Sequence, residues 1–121
     1  MRYEETRKIV LEAIMEAVEQ KLINGTSGNI AMRTPEDPNV VCITPSGIPY
    51  TGMKPEDIAV VVMKEDGGVS HGSPYVDGTA SSSVKMVGDF QTDKAYFMVV
   101  RPQPYTGGVT FYIEYKDGTV L

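Results

Sequence analysis

The chain has no tryptophan, one cysteine (Cys42) and one histidine (His71) among 121 residues. A single cysteine excludes an internal disulfide and fits a reducing compartment. Its neighbours Val40, Val41 and Ile43 make it a buried structural thiol rather than a nucleophile. One imidazole excludes a metal site built from several histidines of this chain. Grouping His71 with Cys42, Asp66 or Asp77 gives no ligand spacing. Serine–histidine–aspartate chemistry would have to use the same residue, and no G-x-S-x-G elbow is present. Long apolar runs are also missing, so nothing in the sequence reaches the ~20 residues a membrane helix needs. The opening MRYEETRKIV carries acids and has no apolar signal region, which leads to the expectation of a cytoplasmic protein. Basic excess is absent too: 11 Lys and Arg stand against 16 Asp and Glu, for a net charge of −5, which argues against nucleic acid as a partner.

Hydrophobic content of 41% and a length of 121 residues suit one domain with its own core. Residues 3–23 predict a helix. Tyr3, Val10, Leu11, Ile14, Ala17, Val18 and Leu22 recur at spacings of three and four, while Glu4, Glu5, Glu12, Glu16 and Glu19 fill the polar side. Asn24-Gly25 provides the stop. Asn29–Arg33 and Val40–Thr44 read as short strands around a turn-rich connection. Pro55 opens one helical turn, and the apolar run Ile58–Met63 predicts a strand covered on both faces.

At residue 66 the texture changes. Nine of the 17 residues in 67–83 are Gly or Ser, a linker-like composition that is hard to place in a core. Val84–Phe90, Ala95–Val100 and Val109–Tyr115 predict strands, the last with clean alternation. Asp117-Gly118 signals a hairpin whose return is very short. The aromatics Phe90, Tyr96, Phe97, Tyr105, Phe111, Tyr112 and Tyr115 gather on these strands, where cross-strand packing accounts for them more economically than a ligand platform. Asp89, Asp93 and Glu114 are read as surface acids.

Two short stretches stand apart, "GTSGNIAMR" at 25–33 and "ITPSGIPY" at 43–50. Small polar residues beside strands can be plain tight turns. They can also converge backbone N–H groups on an anion, with Asn and Ser side chains adding uncharged donors. The residues leave both readings open.

A helix ending at a Gly, followed by "NGTSGNIAMR" and then "ITPSGIPYTGMKPEDIAVVVM", resembles the N-terminal half of the class II aldolases. These are zinc-dependent enzymes acting on sugar phosphates, related to the adducin head. The resemblance covers about residues 5–66; residues 67–121 carry none. It implies a phosphate site at Asn29, Ser46 and Gly47, with Thr26, Ser27 and Gly28 shaping the first turn. It also implies a zinc ion on three histidines, preceded by a Ser-Ser-Glu element. Here Ser81-Ser82-Ser83 has no Glu after it, and His71 is alone.

The expectation is an α+β fold: one long N-terminal helix packed on a largely antiparallel sheet of five to six strands, forming a single domain. In it an aldolase-like segment (1–66) is joined through 67–83 to a β-rich segment of unknown origin (84–121). A chimera of recombined segments without catalysis is the leading reading. It needs no cofactor, keeps a weak site for phosphate or a sugar phosphate, and assembles as a homodimer or higher homo-oligomer, with segment exchange as one route. The rivals are a zinc-dependent aldolase or epimerase completed by another chain, and a binding module using the aromatic face.

Overall fold

The computed structural model describes residues 1–20, 28–45, 47–69, 75–77, 84–86, 90–92, 94–100 and 110–114. Helix α1 runs Glu4–Glu19, with Glu4 and Glu5 in its first turn, where acids suit the positive end of the helix dipole. The strands are β1 (Gly28–Arg33), β2 (Val40–Ile43), β3 (Ala59–Val62), β4 (Gly68–Val69), β5 (Tyr75–Asp77), β6 (Val84–Lys85), β7 (Ala95–Val100) and β8 (Thr110–Glu114). A 3₁₀ turn, Pro55–Asp57, precedes β3. The main sheet has the order β5-β3-β2-β1-β7-β8, and every neighbouring pair is antiparallel. The fold is therefore α+β, as expected, and β7 lies directly against β1.

Alternation along the strands divides the buried residues between two cores. On one face Ile30, Met32, Cys42, Val60, Ala95 and Phe97 meet Val10, Ala13, Ile14 and Ala17 of the helix. On the other, Ala31, Val41, Ile43, Ala59, Val61 and Tyr96 meet Val69, Met86 and Phe90. Successive residues of β3 feed opposite cores, which is why its sequence is apolar throughout.

The buried line of α1 is Thr6, Arg7, Val10, Ala13, Ile14 and Ala17. It is rotated from the predicted stripe, since Val18 is exposed and Leu11 only partly covered. The physical reason lies at residue 7: a guanidinium with enough acceptors can be buried, and hydropathy does not count it. The helix ends at Glu19 with Gln20 as its C-cap, short of the predicted 3–23, and the predicted stop at Asn24-Gly25 lies outside the described residues.

Residues 67–83, read from composition as a join, contain both β4 and β5. The turn before β4 explains the glycines. Gly67 has φ +84°, and a Cβ on Gly68 would sit 2.9 Å from the Asp66 carboxylate oxygen that accepts the Gly68 N–H. Lys64 N donates to Gly68 O, and Gly67 N to Lys64 O, both at 2.9 Å. The chain thereby reverses and delivers Val69, 1% exposed, into the second core, where β4 pairs with β6. Of the strand predicted over Val84–Phe90, only Val84–Lys85 is a strand among the described residues.

Candidate functional site

Strands β1 and β2 bring the two quoted stretches together. Their register pairs Ala31 with Ile43, and the next bond out runs from Thr44 N to Ile30 O at 3.0 Å. The Thr44 side chain then ties the corner. Its hydroxyl accepts the Ile30 N–H at 3.3 Å and donates to Asn29 Oδ1 at 3.4 Å. Thr44 is 1% exposed, so this hydroxyl is a buried polar group with partners on both its roles. Sequence reasoning took Thr44 only as the last residue of a strand. The signal for more was a hydroxyl placed between an apolar run and Pro45.

Gly28 opens β1 opposite Val99, and Asn29, half-buried, lies opposite Met98. Gly47 is exposed at φ +76°, with open space where a side chain would stand. That dihedral requires glycine or an equally tolerant residue and marks a tight reversal after β2. The structure therefore brings Gly28 and Asn29 beside Thr44 at one corner of the sheet. Thr26 and Ser46, the two other predicted site residues, lie outside the described residues. Gly28, Asn29, Thr44 and Gly47 carry no titratable side chain. Such a corner can bind through backbone N–H groups and neutral dipoles, a chemistry suited to an anion. Nearby in sequence, Tyr50 packs against the helix-side core, and burial raises its phenol above the ordinary value, so it stays neutral near pH 7.

Zinc, the metal that the resemblance implies, does not fit the donors on hand. The one histidine lies outside the described residues. Among the described residues, no three of His, Cys, Asp and Glu are grouped to hold a metal. Cys42 is fully buried, and desolvation pushes its thiol up to about 12 despite the opposing charge of Arg7, so it offers no thiolate near neutrality.

The aromatics sort in the same manner. Phe90, Tyr96 and Phe97 are buried, and Phe90 meets Tyr96 edge-on with ring centroids 4.9 Å apart. The side chains of the other aromatics on the predicted strands, and the acids Asp89 and Asp93, fall outside what is described. No helix among the described residues is long and apolar enough to cross a membrane.

A search of curated protein sequences finds no match. Among solved structures the chain is similar to an L-fuculose 1-phosphate aldolase, with a TM-score of 0.58 and 21% sequence identity over 82% of this chain and 45% of that one. At this identity the likeness is one of fold, and the chain spans less than half the length of that enzyme. A coverage of 82% exceeds what residues 1–87 could supply, so the likeness extends past residue 87. The family model described as the class II aldolase and adducin N-terminal domain matches residues 8–87, running through the Gly/Ser-rich stretch as well as the two motifs. With more than half of its residues inside that match, the chain belongs to the class II aldolase and adducin N-terminal domain family.

Proposed function

We propose that this chain is a non-catalytic module of aldolase-type architecture that keeps an anion-binding corner at Gly28, Asn29 and Gly47, with Thr26 and Ser46 contributing from the adjoining turns. The observation that carries the reading is the tie from Asn29 through Thr44 to the Ile30 backbone. A side-chain amide held by a buried hydroxyl is pre-positioned, which lowers the cost of ordering it around a ligand. Phosphate or a sugar phosphate is the ligand class that uncharged donors of this kind suit. Catalysis is left out because the sequence holds one histidine and, among the described residues, no three metal-binding side chains are grouped. The family match ends at residue 87, which accommodates a fusion near that position, while the fold likeness reaches past it.

Titration with inorganic phosphate and with a ketose phosphate, followed by amide NMR, tests this. Shifts should concentrate at Gly28, Asn29 and Gly47, and Asn29→Ala should weaken binding about tenfold, the loss of one good hydrogen bond. Shifts elsewhere, or none at millimolar phosphate, would refute the site.

Family membership favours a second reading, a metal-dependent aldolase or epimerase whose missing ligands come from another chain. Stoichiometric zinc in the purified assembly, together with cleavage of a sugar phosphate, would select it over the first. Both readings involve a homo-oligomer, which light scattering at high micromolar concentration detects.

A further inference from the structure

Burial gives the Thr44 hydroxyl two tasks. At 1% exposure it meets almost no water, so its lone pair and its proton both need partners within the protein. The Ile30 N–H, 3.3 Å away, can only donate and therefore occupies a lone pair. The hydroxyl proton is left for the side chain of Asn29, at 3.4 Å. A carboxamide has an acceptor end and a donor end, and here the two are not equivalent. With Oδ1 turned to Thr44, the hydroxyl is satisfied on both sides. With Nδ2 turned there, donor meets donor, or the hydroxyl proton swings away and a buried bond goes unmade. The ladder keeps the hydroxyl in place, since Thr44 N is tied to Ile30 O at 3.0 Å. Both side-chain distances are long for hydrogen bonds, so their weight falls on orientation rather than on stability.

Resting on the anion reading of this corner, we propose that Thr44 is its specificity-determining residue. Its hydroxyl turns the Asn29 amide so that Nδ2, the donor end, faces outward. Only a ligand atom that accepts, such as a phosphoryl oxygen, can then meet the amide. An ammonium or a guanidinium, which can only donate, is refused at that point. Thr44 acts through Asn29, as a positioning residue, and touches no ligand itself. Without the hydroxyl the amide samples both ends and other rotamers, and only the fraction aimed correctly binds.

NMR of wild type, Thr44→Val and Thr44→Ser, with and without inorganic phosphate, tests this role. Valine keeps the shape of the side chain and loses the hydroxyl; serine keeps the hydroxyl. Phosphate should shift the side-chain NH2 signals of Asn29 in the wild type. Thr44→Val should weaken phosphate about fivefold and Thr44→Ser less than about twofold. In the ligand-free Thr44→Val protein, the Asn29 NH2 signals should already differ from wild type. Phosphate binding that leaves the wild-type NH2 signals unmoved, or that is equally tight in Thr44→Val, would overturn the role of Thr44 and leave the anion site standing. Identical ligand-free NH2 signals in wild type and Thr44→Val would overturn it too. No phosphate binding to wild type would refute the anion corner and this role with it. Should valine unfold the chain, the NH2 shift in wild type and Thr44→Ser still decides.

Discussion

The two faces of the main sheet are closed in different ways. One is covered by a single helix of 16 residues that lays Val10, Ala13, Ile14 and Ala17 against β1, β2, β3 and β7. The other is covered by pieces: Val69 from a two-residue strand, Met86 just past another, and Phe90 ahead of β7. Both covers exclude water about equally, with central residues at or near zero exposure on each side. A continuous amphipathic element is one way to seal a sheet. A few well-spaced apolar side chains on short connections seal it as well, provided that each connection is fixed by turns and backbone bonds.

The sharpest way to break this equivalence is Tyr96→Ala, on the pieced face. The change removes an aromatic ring that is 1% exposed, its edge-on contact with Phe90, and the hydroxyl that accepts the Gln91 N–H at 3.1 Å. A loss of about 4 kcal/mol is expected in denaturant unfolding. Ile14→Ala, which opens a void under the helix, should cost about 3 kcal/mol in the same measurement. If Tyr96→Ala instead costs under about 1 kcal/mol, well below the range for a buried aromatic, the pieced cover is loose and the comparison fails.

A pH profile separates the faces by chemistry. Cys42 belongs to the helix-side core, and burial raises its thiol from the ordinary 9.0 to about 12. The unfolded chain therefore releases this proton first as pH rises. The contribution of this thiol is complete below pH 9 and should be lost progressively as pH rises from 9 towards 12. Subtracting the Cys42→Ala profile isolates this slope from other titrations; an identical profile in the variant would show that the folded thiol is not desolvated.

The same contrast explains what could be read from sequence. Period and length exposed the helix, and apolar runs located β1, β2, β3, β7 and β8 within a residue or so of their ends. Each of these elements is long enough to repeat its own pattern. Val69 was illegible because a strand of two residues has no period; only the Gly67-Gly68 turn chemistry reveals that the chain is reversing rather than wandering, while the strand predicted over Val84–Phe90 overran the two residues of β6. Burial of Arg7 was hidden as well, since its acceptors lie 5, 51 and 70 positions away. At the anion corner, Gly28, Asn29 and Gly47 were visible through their residue types. Thr44 was not, because its contribution comes from lying across the ladder from Ile30, and facing partners are a property of register rather than of composition.

Strand β1 sits between β2 and β7, and its first residue, Gly28, pairs with Val99. A ribosome makes those two positions several seconds apart at ordinary elongation rates. During that interval the nascent strand has its β2 neighbour but an open flank on the other side. Completion of the corner must wait for a contact spanning most of the polypeptide, the kind of closure that slows folding.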